Sequence, residues 1–190
     1  KGFKIVPYCP RCGTPVSSHE VAQGYKQVKE RSAIARFKVK SEDNKYILAW
    51  STTPWTLPSN VALCVNPDED YCEVKTADGY NYIMAKALLE KVLGGEGAPT
   101  APYEIIKTCK GTDLCGIEYV PLFDCAAKEA EKQHKKAHFV VADNYVTMED
   151  GTGVVHIAPA FGEDDARVGR TNDLPLVQFV DDKGHMTEQT

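Results

Sequence analysis

The chain has 190 residues, of which 43% are hydrophobic and 26% are charged, and its formal net charge is −5. This length suffices for one domain with its own apolar core. The mean hydropathy of −0.35 and the lack of an apolar run of about 20 residues argue against a membrane protein. An acidic surface does not attract nucleic acid as a whole, so a polynucleotide partner would have to be held by a local basic patch or by another part of a larger protein.

The predicted elements begin with a strand in residues 1–8 that leads into a Cys-x-x-Cys turn formed by Cys9 and Cys12. Such a turn directs two thiolates at one tetrahedral metal ion, so residues 1–20 are predicted to contain half of a zinc knuckle. Since no second ligand pair follows, the pair is either idle or completed by another part of a larger protein. A redox function is a third interpretation, although the sequence after Gly13 does not predict the helix that a redox motif has.

Alternating apolar and polar residues predict a mostly β chain. Residues 33–40 and 45–51 form a predicted β-hairpin. Further strands are predicted at residues 61–65, 71–76, 80–84, 103–108, 117–123 and 138–142, helices at residues 85–93 and 126–137, and an exposed connection at residues 96–102. Because strands outnumber helices and follow one another closely, we predict a mainly β fold (α+β) with a barrel-like β core and peripheral helices.

The seven cysteines bear on the cellular compartment. Apart from Cys9 and Cys12 they are scattered among strand-like segments, which favours small buried thiols in a reduced, cytoplasmic protein over a disulfide framework. The sequence begins at Lys1 without a methionine, and its last residues, 184–190, do not form the end of a predicted element. We therefore expect residues 1–190 to be a single domain excised from a larger protein.

Residues 50–60 are the first candidate site segment, with the sequence WSTTPWTLPSN. Each proline fixes its own φ and restricts the residue before it, so we expect Thr53 and Leu57 in extended geometry and a rigid, non-helical bend at the end of an apolar strand. An ordinary strand exit with solvated hydroxyls is one interpretation. A wall of hydrogen-bonding groups on stiff backbone is the other.

Residues 151–165 are the second candidate segment, with the sequence GTGVVHIAPAFGEDD. Its glycines permit close approach of the backbone, a short strand carries His156, and a helix with an acidic first turn begins around Glu163. Taken alone, Asp164 and Asp165 are typical carboxylates at a helix N-terminus, and His156 is a typical strand histidine.

These two segments, together with the run CPRCGTPVSSHEV of residues 9–21, resemble the editing domain (connective peptide 1, CP1) of isoleucyl-tRNA synthetase, a class I aminoacyl-tRNA synthetase. The resemblance spans nearly the whole chain. The Thr-Thr-Pro-Trp-Thr-Leu-Pro run resembles the isoleucyl enzyme more than its valyl and leucyl relatives. Ser51 departs from the family, which typically has a third threonine there. The resemblance implies the barrel-like β core that the valyl, isoleucyl and leucyl editing domains share.

The activity that the resemblance implies is hydrolysis of Val-tRNA(Ile), and of valyl-adenylate, in a pocket that admits valine and rejects isoleucine. Isoleucyl-tRNA synthetase is itself the standard example of this discrimination problem. An ester is reactive enough for an oriented water molecule to attack it, so we expect no covalent nucleophile. We also expect no catalytic metal ion, because His156 and Asp165 lack a third ligand at suitable spacing.

The resemblance also assigns roles to individual residues. Those implied for catalysis are Thr52, Thr53, Thr56, His156 and Asp165. The threonines would bind the ester, the ribose hydroxyls and the attacking water, the histidine would exclude isoleucine, and the aspartate would bind the α-ammonium group. Those implied for substrate binding are Ser51, Trp55, Asn60, Gly153 and Asp164, of which Trp55 and Asn60 would shape the site of the terminal adenosine.

The implied partners are the 3′ end of tRNA(Ile) carrying misacylated valine, valyl-adenylate and the rest of the synthetase, with no membrane and with a monomeric isolated domain. Editing would need no cofactor. ATP and Mg²⁺ would serve the parent's synthetic site, which ligates isoleucine to tRNA(Ile), and zinc in the full-length parent could use Cys9 and Cys12. Two alternatives stay open: an editing domain of valyl or leucyl specificity, and a non-enzymatic, zinc-ribbon-like binding module.

Overall fold

The computed structural model describes residues 5–94 and 103–190, and these ranges contain ten strands and four α-helices. The strands are β1 (Tyr8–Cys9), β2 (Thr14–Pro15), β3 (Ala33–Lys38), β4 (Lys45–Ser51), β5 (Ala62–Val65), β6 (Asp70–Lys75), β7 (Asn81–Ala85), β8 (Glu104–Lys110), β9 (Phe139–Ala142) and β10 (Val154–Ile157). The α-helices are α1 (Ser18–Gln23), α2 (Leu89–Leu93), α3 (Asp124–Lys132) and α4 (Glu163–Thr171). Three 3₁₀ helices span Pro54–Ser59, Lys86–Leu88 and Gly111–Leu114. The connection predicted at residues 96–102 lies outside the described residues, and so does the start of the strand predicted in residues 1–8.

One sheet organises the molecule, with the strand order β8-β6-β7-β4-β10-β5-β9 and with β3 paired to β4 outside this path. The predicted hairpin is confirmed, because β3 and β4 are antiparallel from Ala33, opposite Ser51, to Lys38, opposite Tyr46. Strand β10 is parallel to β4 and antiparallel to β5. The strands predicted from residue 61 to residue 108 and at residues 138–142 are confirmed to within two residues at each end.

Residues 117–123, predicted as a strand, form only isolated bridges. Tyr119 bridges to Val39 after the end of β3, and Glu118 bridges to Phe139 in β9. This segment therefore lies between the end of β3 and β9. Its hydrogen bonds to both complete a ring formed by β3, β4, β10, β5, β9 and the segment itself. The predicted mainly β fold with a barrel-like core is confirmed.

Two apolar clusters fill the interior. The larger lies within the curled sheet and includes Phe37, Ile47 and Leu63, each at most 1% exposed. The smaller includes Ile157 and Val168 and packs α4 against β5 and β10. Each fully buried side chain of this size contributes about 1.5–3 kcal/mol to folding. No helix in residues 5–94 and 103–190 is long and apolar enough to cross a membrane.

All seven cysteines are free. Cys64 and Cys72 are buried as predicted, and burial raises the pKa of Cys64 to about 12 and that of Cys72 to about 11, so neither thiol is reactive at neutral pH. The prediction of buried thiols is wrong for Cys115, which is exposed.

The non-helical bend predicted for residues 50–60 is wrong, because Pro54–Ser59 is a 3₁₀ helix. Pro54 occupies its first turn, where a missing N–H is not a loss. The helix is held by hydrogen bonds from Thr56 N–H to the Thr53 carbonyl and from Asn60 N–H to the Leu57 carbonyl, each 3.0 Å long. Neither bond needs the nitrogen of Pro58, and Leu57 is helical although it precedes a proline.

The turn before β10 brings two glycines into close contact with other strands. Gly151 and Gly153 both have positive φ, +76° and +71°. A Cβ atom on Gly153 would lie 2.3 Å from the Cβ atom of Ala85, and one on Gly151 would lie 2.7 Å from the ring of Trp50. The Ala85 N–H also donates to the carbonyl of Thr152 at 2.9 Å, so this turn is fixed to the end of β7.

We expect Gly153→Ala to lower the free energy of unfolding by about 2–4 kcal/mol, since it adds a steric overlap to the cost of a positive φ. Gly79→Ala is the matched control. Gly79 has φ +86° but no atom within 4 Å of an added Cβ, so only about 1 kcal/mol should be lost. Urea unfolding of both variants measures the difference, and equal losses would contradict the overlap with Ala85.

Candidate active site

The two candidate segments meet because β10 lies between β4 and β5. The first segment begins at the end of β4, where Trp50 is opposite Val155 of β10. The second continues from β10 into α4. The rings of Trp55 and Phe161 join the segments at the surface, with 5.4 Å between centroids and an angle of 85° between planes. Sequence reasoning missed Phe161, for which only its place within the second segment gave a signal.

A buried hydrogen bond of 3.0 Å joins Thr56 Oγ1 to His156 Nε2. The two residues are 4% and 6% exposed. The Thr56 hydroxyl lies 2.8 Å from the Thr53 carbonyl, which can only accept, so we infer that it donates there and accepts the Nε2–H proton of His156. His156 Nδ1 is then an unprotonated, buried nitrogen without a hydrogen-bond partner among the described residues.

The electrostatics of His156 favour a steric role for its ring over a role as a general base. Burial lowers the pKa of His156 to about 4. Its imidazole is therefore neutral at pH 7 and a weak base, whereas an efficient general base has a pKa near the working pH. A neutral ring with its orientation set by Thr56 is suited to form the wall of a pocket.

Asp165 lies in the first turn of α4, after the N-cap residue Gly162. Its Oδ2 atom accepts the Ala158 N–H at 2.9 Å, which holds the carboxylate beside the strand end that carries His156. Burial raises the pKa of Asp165 to about 6, and the Ala158 N–H opposes this shift. A side chain at Gly162 would crowd the carboxylate, since an added Cβ would lie 3.2 Å from Asp165 Cγ. At pH 7 the group is mostly ionised, and it can accept a charge-assisted bond from a cation.

Tyr145 is a second residue that sequence reasoning missed, because nothing in the loop after β9 distinguishes it. Its hydroxyl oxygen is buried and has no partner of ordinary hydrogen-bond geometry in the described residues. Beside burial, which dominates, this hydroxyl acts on the carboxyl of Asp165 and lowers its pKa. Arg167 covers the Tyr145 ring at 5.8 Å and pairs with Asp164 at 3.1 Å.

The remaining predicted residues divide into exposed and internal positions. Thr52, Thr53 and Asp164 are exposed, and Trp55 is 52% exposed. Ser51 is buried, and its hydroxyl accepts the Thr53 N–H at 3.1 Å.

Two predicted substrate contacts are engaged inside the protein. Gly153 packs against Ala85, as described above. Asn60 is buried, and its amide bonds to Tyr119 and to the carbonyl of Ala62. Their predicted contacts with substrate remain predictions.

The Cys-x-x-Cys turn forms a small hairpin of β1 and β2, with the Gly13 N–H bonded to the Cys9 carbonyl at 2.8 Å. The pKa of the Cys9 thiol is lowered chiefly by a hydrogen bond from the Cys12 N–H, and secondly by one from the Cys12 thiol. Within residues 5–94 and 103–190, no three His, Cys, Asp or Glu side chains are grouped to hold a metal ion. The two thiols have the chemistry for half of a tetrahedral zinc site, which remains a prediction.

Comparisons with known proteins cover nearly the whole chain. No protein-family model matches the chain. It is 55% identical over 188 residues to an isoleucine–tRNA ligase of Clostridium novyi and 56% identical over 189 residues to that of Clostridium acetobutylicum. These alignments cover 99% and 100% of this chain but only 17% of each ligase.

Solved structures support the fold. The editing domain of the P. knowlesi cytosolic leucyl-tRNA synthetase matches with a TM-score of 0.58 and 15% identity, over 75% of this chain and 64% of that one. The structure of GlLeuRS-CP1 matches with a TM-score of 0.57 and 16% identity, over 74% of this chain and 59% of that one. At these identities the likeness shows the fold alone, and it is the editing-domain fold that the two sequence segments predicted.

The raised pKa of Asp165 predicts a pH dependence of stability. Since the folded protein disfavours the ionised carboxylate, this group lowers the free energy of unfolding as pH rises from about 4 to about 6. Asp165→Asn keeps an acceptor for the Ala158 N–H and removes the ionisation. Its stability relative to the wild type should therefore increase between pH 4 and pH 7, by at most about 3 kcal/mol.

Asp143→Asn supplies a control of opposite sign. The Arg167 guanidinium lowers the pKa of Asp143, so this carboxylate stabilises the protein at neutral pH and loses that effect as pH falls. Urea unfolding at several pH values measures both variants. A stability difference for Asp165→Asn that does not change with pH would show that the carboxyl is solvated.

Proposed function

Because this chain is a CP1 editing domain of the isoleucyl-tRNA synthetase type, we propose that it hydrolyses the ester bond of misacylated Val-tRNA(Ile), and also valyl-adenylate. The observation that carries the proposal is the junction of the two segments, in which Thr56 bonds to His156 and Asp165 lies beside the same strand end. In the full-length protein a separate synthetic site would ligate isoleucine to tRNA(Ile) with ATP and Mg²⁺. The tRNA and the rest of the synthetase would then be the partners of this domain.

Asp165 would bind the α-ammonium group of the aminoacyl ester. The carboxylate is held on one side by the Ala158 N–H, and a cation on the other side would relieve the cost of keeping it ionised. Substrate binding would therefore weaken below pH 6, where Asp165 takes up a proton.

The threonines would position the reacting groups. Thr52 and Thr53 are exposed where the first segment leaves β4 and are available to the ribose hydroxyls and the ester, while Thr56 is buried and orients His156. An oriented water is a sufficient nucleophile for an ester, and holding it near the carbonyl carbon supplies much of the rate. Trp55, half exposed against Phe161, offers an aromatic surface to the terminal adenosine.

His156 would set the size limit of the pocket. Its ring is neutral, buried and fixed by Thr56, so it can act as a rigid wall that leaves room for valine and not for one further methylene. Isoleucyl specificity is favoured over leucyl specificity because the 55–56% identity to isoleucine–tRNA ligases far exceeds the 15–16% identity to the leucyl domains.

The full-length synthetase that carries this domain should hydrolyse Val-tRNA(Ile) faster than Thr-tRNA(Val) or Ile-tRNA(Leu). Asp165→Ala should abolish this deacylation and leave aminoacylation with isoleucine unchanged, because the α-ammonium group loses its counter-ion. Deacylation of purified mischarged tRNAs measures both effects. Equal rates on the three substrates would refute isoleucyl specificity, and an active Asp165→Ala enzyme would refute the ammonium assignment.

His156→Ala should allow hydrolysis of correctly charged Ile-tRNA(Ile). One methylene is worth about 1–3 kcal/mol of discrimination, for which isoleucyl-tRNA synthetase is the standard example, so the ratio of Val to Ile hydrolysis should fall by about 10-fold or more. His19→Ala, which alters an exposed histidine on α1, should leave the ratio unchanged. If the ratio is unchanged in His156→Ala as well, His156 does not set the size limit.

A further inference from the structure

A buried polar network lies beneath the 3₁₀ helix Pro54–Ser59. Asn60 ends this helix, and its side-chain carbonyl accepts the Tyr119 hydroxyl at 2.7 Å. Its amide NH₂ donates to the Ala62 carbonyl at 2.8 Å. The backbone carbonyl of Asn60 is 3.1 Å from His138 Nε2, which must be the donor because a carbonyl only accepts. These contacts join Ala62 in β5, Tyr119 in the segment 117–123, and His138, the residue before β9.

Two of the partners of Asn60, Tyr119 and His138, are tightly held. Tyr119 is 0% exposed, and its ring packs edge-on against Phe37 and His138 at 5.1 and 5.7 Å between centroids. His138 has φ +62°, a conformation that costs a non-glycine residue about 1 kcal/mol or more. Burial lowers the pKa of His138, so its ring is neutral and can donate one proton to Asn60. The fold thus maintains a strained residue where it supports the end of the 3₁₀ helix.

We propose that Tyr119 and His138 are positioning residues that act through Asn60 to fix the 3₁₀ helix and with it the bond between Thr56 and His156. The proposal rests on the hydrolytic function above. The side-chain amide of Asn60 is bonded at both its oxygen and its nitrogen, and the residue is only 4% exposed, so the adenosine has little access to it. Its contribution to the site is accordingly indirect: an anchor for the segment whose exposed residues meet the substrate.

Tyr119→Phe tests this mechanism, because it removes one hydroxyl and keeps the ring that packs against Phe37. In the full-length synthetase, kcat for Val-tRNA(Ile) deacylation should fall about 10-fold with KM changed less than twofold, and the ratio of Val to Ile hydrolysis should narrow. Tyr82→Phe is the matched control. Tyr82 is also buried, at 6% exposed, but its hydroxyl bonds to Asp78 and Arg36, outside the network. It should change neither kcat nor the ratio.

Amide hydrogen exchange on the same proteins separates this proposal from the proposed function. Tyr119→Phe should raise exchange at least 10-fold in residues 50–60, where Thr56 and Asn60 supply the helix hydrogen bonds, and Tyr82→Phe should not. If the wild type fails to deacylate Val-tRNA(Ile), the proposed function fails and the exchange result still decides whether Tyr119 fixes the helix. Unchanged exchange, or unchanged kcat and selectivity in an active enzyme, would overturn the positioning role.

Discussion

The pairing of β10 with both β4 and β5 is the constraint on which the site depends. It places the end of β4, where the first segment begins, beside the strand that carries His156. Residues a hundred positions apart in the chain, Thr56 and His156, can then form a buried hydrogen bond. The turn before β10 makes this pairing possible, since Gly151 and Gly153 let its backbone approach Trp50 and Ala85 without steric overlap.

The site holds its two titratable groups in surroundings that oppose their charged forms. For His156 this has no cost at pH 7, because the neutral ring is the form that a steric wall needs. For Asp165 it has a cost, since burial raises its pKa while the proposed chemistry needs the carboxylate. The Ala158 N–H and the Tyr145 hydroxyl reduce that cost only in part. The remainder is the free energy that a bound ammonium group can recover, which makes an unfavourable carboxylate in the free protein a favourable one in the complex.

The sequence predicted what depends on local pattern. Alternation predicted the β3–β4 hairpin and most of the strands, and two dense segments predicted the family and a shared site. The rule that a residue before a proline is not helical failed at Leu57, which lies in the 3₁₀ helix Pro54–Ser59. Helix α1 was not predicted, although Ser17 and Glu20 form a capping box that gave a signal for it.

Contacts made across the barrel were beyond the sequence. Tyr145 beside Asp165 and Tyr119 beneath Asn60 come from segments without any motif, and only the closed sheet brings them to the site. Asn60 shows the consequence. Its place in the first segment predicts a contact with substrate, which remains a prediction, while its burial and its bonded amide support the anchoring role proposed above.

The 3₁₀ helix explains how one short segment can both anchor itself and present groups to a ligand. Residues three apart eclipse one another in such a helix. Thr56 and Ser59 therefore share the buried side, while Trp55, one position earlier, remains half exposed. In an α-helix, residues three apart would be turned away from each other by about 60°, so Thr56 and Ser59 would diverge. The tighter helix therefore keeps the Thr56 hydroxyl, which orients His156, on the buried side, about 120° around the helix axis from Trp55.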